Sequence, residues 1–287
     1  MRIETKNLTY VYSENSKALS LKALDDVTLT IPEGEFFGII GQTGSGKTTF
    51  VQHLNGLIKV GKDKGSLVVG EYDLTDKNCD FLGLRAKVGM VFQYPEHQLF
   101  AETVFEDVAF GLKNFEPNLT EQQIEERVRE CIELVGLDFD KVKEKSPFEL
   151  SGGQKRRVAI AGVIVSRPEV LVLDEPAAGL DPVGKRDFLA LLHKIHKTFA
   201  KTIIIVSHDM NVISEHCTSA CVFSHGKVQL VGTPKQIFDN IELIESLGLD
   251  LPTTAKITQN LRKAGIEIDC DLTVNGLIDQ LTKGGIR

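Results

Sequence analysis

The run Leu150-Ser151-Gly152-Gly153-Gln154 carries the most pointed chemistry in the chain. At average composition that pentapeptide arises by chance at about one position in a million. A serine caps a helix that starts at once, and two glycines bare backbone N–H groups at the positive end of the helix dipole. Together they make an anion seat. A second such seat stands upstream. Gly41-Gln42-Thr43-Gly44-Ser45-Gly46-Lys47-Thr48, followed by Thr49, fits the phosphate-binding loop pattern; it follows the apolar run 36–40 and opens a helical pattern that continues through Leu57. Its glycines let backbone amides wrap phosphates, Lys47 places a cation at the β/γ oxygens, and Thr48 can ligate Mg2+. Leu171-Val172-Leu173-Asp174-Glu175 supplies the complementary acidic strand end. Asp174 can hold Mg2+ through water beside Thr48, and Glu175 is the candidate general base for the attacking water. These residues predict nucleotide binding and hydrolysis. Because the chain already has a complete phosphate-binding loop, the Ser151 seat is expected to serve a nucleotide held by another subunit.

Short β-like runs alternate with helical patterns from Ile3 to about Val231. Residues 27–31, 36–40, 88–92, 170–173 and 203–206 read as strands. The last two are nearly continuous Val, Ile and Leu, as expected of strands covered on both faces. Between Gln93 and about Val165 the pattern turns helical. Thr120 and Gln123 form a capping box, Ile124, Val128, Ile132 and Val135 keep one apolar face, and Gly136 stops the helix. That block predicts a helical subdomain, residues 93–165, inserted in an α/β core; a plain crossover is the alternative. After Val231 the strands end, and residues 234–247, 254–264 and 273–282 read as three helices. Ile257 with Leu261, and Leu277 with Leu281, give the last two helices one narrow apolar stripe each, expected to pack on the parent domain, with a dimer contact as the alternative. The expected organisation is residues 1–232 as one domain and 233–287 as a helical extension.

Bulk properties narrow the function classes. Hydrophobic residues at 42% and charged residues at 25% are ordinary for a globular protein. A net charge of −7 argues against a general nucleic-acid surface. The first twelve residues are mixed polar and charged, which predicts no signal peptide. The longest apolar run, residues 158–165, falls short of the ~20 residues needed to cross a bilayer, so any membrane role would come through a partner. Cys79, Cys131, Cys217, Cys221 and Cys270 are scattered and odd in number, which reads as reduced thiols. Cys217 and Cys221, with His216 and His225 nearby, match no common zinc spacing.

Three further residues complete a pattern. Gln93 ends the run 88–92, His208 stands in Val206-Ser207-His208-Asp209, and Asp181 closes Ala178-Gly179-Leu180-Asp181. In order and spacing, the motifs resemble the nucleotide-binding domain of the ATP-binding cassette (ABC) family over about residues 3–232. The resemblance implies an α/β P-loop domain of ABC type with an inserted helical subdomain, to which the chain adds a small helical C-terminal extension. It implies ATP and Mg2+ as cofactors, with the metal held by Thr48, Gln93 and Asp174. It makes Gln93 a contact of metal and attacking water, His208 a contact of the γ-phosphate, and Asp181 part of a loop that crosses a dimer interface. Tyr12 resembles the aromatic that stacks on adenine, with Tyr10 as the alternative. Two such domains would close head to tail, each ATP lying between one P-loop and the opposite run Ser151-Gly152-Gly153-Gln154. One cassette cannot complete a site alone.

Gln93-Tyr94-Pro95-Glu96-His97-Gln98-Leu99-Phe100, continued by Thr103-Val104 and Asp107-Val108-Ala109-Phe110-Gly111, resembles the ATPases of energy-coupling factor (ECF) transporters, including the cobalt-uptake type. Gln52-His53-Leu54-Asn55-Gly56 and Ser146-Pro147-Phe148-Glu149 look more like the second of the two ATPase paralogues that commonly pair in these transporters. That resemblance implies three kinds of partner: a second ABC ATPase subunit, by family habit a paralogue; a transmembrane coupling subunit; and a substrate-capture membrane subunit for a vitamin or metal ion. It implies a peripheral place on the cytoplasmic face of the cell membrane and no nucleic-acid partner. Residues 93–100 would form a groove for a coupling helix carrying an arginine, with Glu96, Glu102 and Glu106 as acidic partners. The rival reading is the ATPase of a conventional ABC importer or of a metal-ion (cobalt or nickel) uptake system. Importer ATPases often append a β-rich regulatory domain, whereas the tail after Val231 reads as helical. One small departure is Ala177, where many relatives carry threonine; it implies no change of mechanism.

Overall fold

The computed structural model describes residues 1–13, 20–266, 268 and 272–283. In chain order these form β1 (Ile3–Ser13), β2 (Ser20–Ile31), β3 (Phe36–Gly41), α1 (Lys47–Leu54), β4 (Ser66–Val69), β5 (Tyr72–Asp73), α2 (Phe81–Lys87) and β6 (Val88–Val91). A 3-10 turn (Pro95–Gln98) leads to α3 (Val104–Phe115), α4 (Glu121–Leu134), α5 (Phe139–Val142), a second 3-10 turn (Pro147–Glu149) and α6 (Gly152–Ile164). Then follow β7 (Val170–Asp174), α7 (Pro182–Thr198), β8 (Thr202–Val206), α8 (Met210–His216), β9 (Ser219–Ser224) and β10 (Lys227–Gly232). The tail holds α9 (Pro234–Phe238), α10 (Ile241–Ser246), α11 (Thr253–Lys263) and α12 (Val274–Lys283). The chain divides into two compact units: Met1, Val51–Lys59 and Val69–Ile203 form the helix-rich unit, and Arg2–Phe50, Val60–Val68 and the described residues from Ile204 onward form the strand-rich one.

In the strand-rich unit β3 is buried along its whole length, which explains why it reads as an unbroken apolar run rather than an alternating one. It pairs in parallel with β9, from Phe37 opposite Ser219 to Gly41 opposite Phe223, and β10 pairs antiparallel with β9. β8 lies on the other side of β3. β1 and β2 form an antiparallel pair starting with Ile3 opposite Ile31. The core gathers Phe36, Phe37, Ile39, Ile40, Phe50 and Phe223.

The tail departs from the sequence expectation twice. Residues 234–247 form two helices, not one, because the Asn240 side-chain amide donates to the Gln236 carbonyl (2.7 Å), the acceptor a continuing helix would use. On α11 the buried face is Thr254, Ala255 and Thr258, whereas Ile257 of the expected apolar stripe is 40% exposed. On α12 Leu277 is buried as expected.

In the helix-rich unit β6 and β7 run parallel, Val88 opposite Val170 through Val91 opposite Leu173. The Thr120–Gln123 capping box opens α4, Ile124, Val128, Cys131 and Ile132 are buried, and Gly136 at φ +79° ends it. α2 was not expected from sequence. Its start is set by Asp80, whose carboxylate accepts from the Leu82 and Gly83 N–H groups. Cys131 lies in this unit and Cys217 and Cys221 in the other; burial pushes all three thiols up, Cys131 to about 12, so they stay protonated. Cys270 lies outside the described residues. Among the described residues no helix is long and apolar enough to cross a membrane.

Candidate active site

The phosphate-binding loop lies in the strand-rich unit, between β3 and α1. Two glycines are obligatory there. A Cβ on Gly41 would stand 2.3 Å from the Phe223 carbonyl oxygen, and one on Gly46, at φ +104°, would stand 2.3 Å from the Ala23 carbonyl oxygen. Lys47 is buried, and its ammonium donates to the carbonyls of Gly41 (2.7 Å) and Gln42 (2.8 Å), folded over the loop it serves. The Ser45 hydroxyl is buried with no hydrogen-bond partner among the described residues. An orphaned hydroxyl donor, a buried ammonium and glycine-bared amides form the donor set a polyphosphate satisfies. Gln42, Thr43, Gly44 and Thr48 are exposed, and Thr49 is buried.

Tyr12 is 40% exposed; its hydroxyl lies 3.2 Å from Thr49 Oγ1, and its ring meets Tyr10 edge-on at 4.8 Å. The structure therefore brings Tyr12 beside the loop. Ser207 N–H donates to the Ile39 carbonyl (3.2 Å), which places His208 next to the level at which β3 delivers Gly41. His208 is exposed on a tight turn, where the Asp209 N–H donates to Ser207 Oγ (3.0 Å) and Asp209 caps α8.

The acidic residues lie in the helix-rich unit. The parallel register of β6 and β7 delivers Gln93 and the pair Asp174-Glu175 from the same strand ends, so these predicted site residues emerge side by side. Asp174 is buried. Glu175 sits at φ +48° and Tyr94, beside Gln93, at φ +56°. Such left-handed backbone in non-glycine residues is held only where the surroundings over-determine it. The turn after Glu175 closes with Ala178 N–H on the Glu175 carbonyl (3.1 Å), and it ends at Asp181, which caps α7 through the Gly184 N–H (2.7 Å).

Ser151 caps α6 in the same unit, and the capping box is reciprocal: Gln154 N–H donates to Ser151 Oγ (3.4 Å) and Ser151 N–H to Gln154 Oε1 (3.0 Å). That leaves the amides of Gly152 and Gly153, which have no acceptor within the helix. Both residues are exposed, and a Cβ on either would meet nothing within 4 Å. Packing among the described residues does not require glycine at either position.

Sequence reasoning missed Arg156. Its side chain is buried on α6, paired by Nε and Nη2 with both oxygens of Glu96 (3.1 Å each), while Nη1 donates to the carbonyls of Pro176 (3.4 Å) and Ala178 (3.1 Å). Glu96 is thereby corrected: it is not a free surface carboxylate waiting for a partner's arginine but the internal partner of Arg156. Burial, the largest single influence, pushes its carboxyl up, yet the hydrogen bond and charge of Arg156, with a backbone hydrogen bond and the nearby His97, together hold it below the usual glutamate range. Glu102 and Glu106 are exposed as expected. Phe100 and Phe110 present an exposed edge-to-face pair at 4.9 Å, anchored by Asp107, which accepts from the Phe100 and Ala101 N–H groups. No sequence period links positions 96 and 156, so only the identity of the two residues hinted at their pairing.

A P-loop, an acidic strand end with a following carboxylate, and a glycine-bared helix start define a cassette ATPase, and residues 24–178 match the ABC transporter family. Curated relatives sharpen this. The chain is 47% identical over 268 residues to the energy-coupling factor transporter ATP-binding protein EcfA2 of Clostridium tetani, covering 93% of this chain and 91% of that one. It is 47% identical to the EcfA2 protein of Clostridioides difficile, covering 95% and 93%. Among solved structures, CbiO1 of Clostridium perfringens, part of the ABC transporter complex CbiONQ, superposes with a TM-score of 0.71 at 36% identity, covering 90% of this chain and 98% of that one. The ATP-binding cassette MJ0796, a dimer in a post-hydrolysis state with ADP and phosphate, superposes with a TM-score of 0.71 at 28% identity, covering 81% and 98%. The chain belongs to the ATP-binding proteins of energy-coupling factor transporters, of the EcfA2 type, within the ABC transporter family.

Proposed function

We propose that this chain is the ATP-hydrolysing subunit that energises uptake of vitamins or other micronutrients through an ECF transporter complex. The observation that carries the reading is the helix start at Gly152 and Gly153: an exposed anion seat, unneeded by the chain's own packing, in a protein that has a complete P-loop of its own. Two cassettes close head to tail, and each run Ser151–Gln154 then faces the phosphates of the ATP held by the partner subunit. Closure depends on the γ-phosphate, and hydrolysis removes that dependence and reopens the dimer.

Lys47 and the amides of residues 41–46 bind the β- and γ-phosphates, and Tyr12 stacks on adenine. Thr48, Asp174 and Gln93 are the residues that would hold Mg2+, which when bound neutralises phosphate charge. Glu175 takes a proton from the attacking water as it approaches the γ-phosphorus. His208 donates to the γ-phosphate, and Asp181 carries the state of one site to the other. Residues 1–232 form the ATPase domain, with residues 93–165 as its helical subdomain, and 233–287 form the appendage. The second ATPase is a paralogue rather than a copy. The exposed aromatics Phe100 and Phe110 belong to the surface that meets a transmembrane coupling subunit, which places the chain peripherally on the cytoplasmic face of the membrane.

The test is purification of the tagged chain from gently solubilised membranes, with identification of what accompanies it. The expected result is a second P-loop ATPase, one coupling subunit and several small membrane proteins. A conventional permease pair would overturn the ECF reading in favour of an ordinary importer. No membrane protein at all would overturn the transport reading.

A further inference from the structure

Arg156 links three segments of the helix-rich unit. It lies on the helix whose N-terminus is Ser151, it pairs through two bonds with Glu96 in the 3-10 turn that follows Gln93, and it donates to the carbonyls of Pro176 and Ala178 in the turn that follows Glu175. At 6% exposure this guanidinium has left water behind, so losing any partner leaves charge uncompensated. Its planar fork is suited to hold a carboxylate on one edge and carbonyls on the other, an arrangement a single ammonium cannot reproduce. The turn it grips is the strained one: Glu175 stands in the left-handed region, and only its surroundings keep it there. The Ala178 residue whose N–H closes that turn on the Glu175 carbonyl is the same residue whose carbonyl Arg156 holds.

We propose that Arg156 is a positioning residue for hydrolysis: through the carbonyls of Pro176 and Ala178 it holds the turn from Glu175 to Asp181 in the shape in which the Glu175 carboxylate can take the water's proton, and Glu96 acts by orienting Arg156. The inference rests on the reading of Glu175 as the base. It makes the turn after Gln93, the turn that carries the base and helix α6 one mechanical piece, so a displacement of any one of them is felt at Glu175.

The experiment uses the full chain assembled with the subunits that co-purify with it. Phosphate release at saturating MgATP gives kcat and KM, and a fluorescent ATP analogue reports binding. Arg156→Met is expected to lower kcat about ten- to a hundredfold, the scale of a small misplacement of a reacting group. KM and analogue affinity are expected to stay within about twofold, since ground-state binding does not use this turn. Arg156→Lys, which keeps the charge and most of the volume, is expected to be nearly as slow, and it decides the matter if Arg156→Met does not assemble. Glu96→Gln is expected to fall less, and the double variant Glu96→Gln/Arg156→Met to be no slower than Arg156→Met alone. Near-normal kcat in Arg156→Lys, or a parallel loss of analogue binding and turnover, overturns the positioning role. Additive losses in the double variant overturn the part given to Glu96. Glu175→Gln in the same assembly separates the two readings: if it turns over briskly the base assignment fails, whereas an inactive Glu175→Gln beside fully active Arg156 variants removes only the inference about Arg156.

Discussion

At the scale of single residues, Glu175 combines a carboxylate just past the end of β7 with a left-handed backbone, and its amide replacement keeps size and hydrogen-bonding shape while removing the proposed base. Glu175→Gln is expected to lower turnover by about a hundredfold or more, the usual worth of a general base, with ATP analogue binding retained. Phosphate release and equilibrium binding on one preparation check both halves. Glu96 supports a pH statement. Its carboxyl is held below the ordinary value of 4.5 by Arg156 against the opposing pull of burial, so in mild acid the unfolded chain binds more protons than the folded one. The stabilisation is therefore complete above that ordinary value and is lost as pH falls through the lowered folded value. Unfolding midpoints measured across acid pH are expected to fall more steeply for the wild type than for Glu96→Gln. Lys47, Asp174, Glu175 and the Ser151 run were legible in sequence because each sits at a fixed offset from a strand end or helix start. The Glu96–Arg156 pair was not, because its members are 60 positions apart and neither lies in a pattern that names the other.

At the scale of elements, the start of α6 is built by two separable devices. The capping box of Ser151 and Gln154 serves the helix itself, whereas a Cβ at Gly152 or Gly153 would meet nothing among the described residues within 4 Å. Replacing Gly153 with alanine is expected to leave the unfolding midpoint unchanged or to raise it by up to about 1 kcal/mol of stability, since alanine is the better helix former. Hydrolysis by the assembled complex is expected to fall, because on the proposed reading the added methyl group stands where the partner's phosphates approach. Thermal unfolding beside phosphate release separates these outcomes, and full activity in that variant would remove the seat from the mechanism. The capping box at Thr120 and the stop at Gly136 were readable because both are local chemistry. The break between α9 and α10 escaped reading because Asn240 is tolerated inside helices and ends this one only through the bond its side chain makes. The outward turn of Ile257 escaped for a related reason: a stripe says which residues are apolar, and neighbours decide which face is covered.

At the scale of the whole molecule, the tail returns to the site. Gln42 in the phosphate-binding loop donates through Nε2 to the Gly248 carbonyl (3.2 Å), and a Cβ on Gly248, at φ +65°, would stand 2.0 Å from that nitrogen. Gly248→Ala is expected to cost about 1 kcal/mol from backbone strain alone, and to weaken nucleotide binding because Gln42 must move away. Unfolding midpoints with and without ATP analogue measure both effects; unchanged analogue affinity would mean that the tail does not bear on the loop. By itself the sequence determined the class of chemistry, the family and the placement of the phosphate loop, the acidic strand end and the Ser151–Gln154 seat, because those depend on residue types at short, fixed spacings that local backbone geometry converts directly into sites. Only the tertiary structure decided that Arg156 grips the turn after Glu175, that Glu96 is spoken for within the chain, and that Gly248 touches Gln42. Such contacts join residues far apart in the chain, and their free energy comes from burial and mutual satisfaction of polar groups that exist only after the chain has folded.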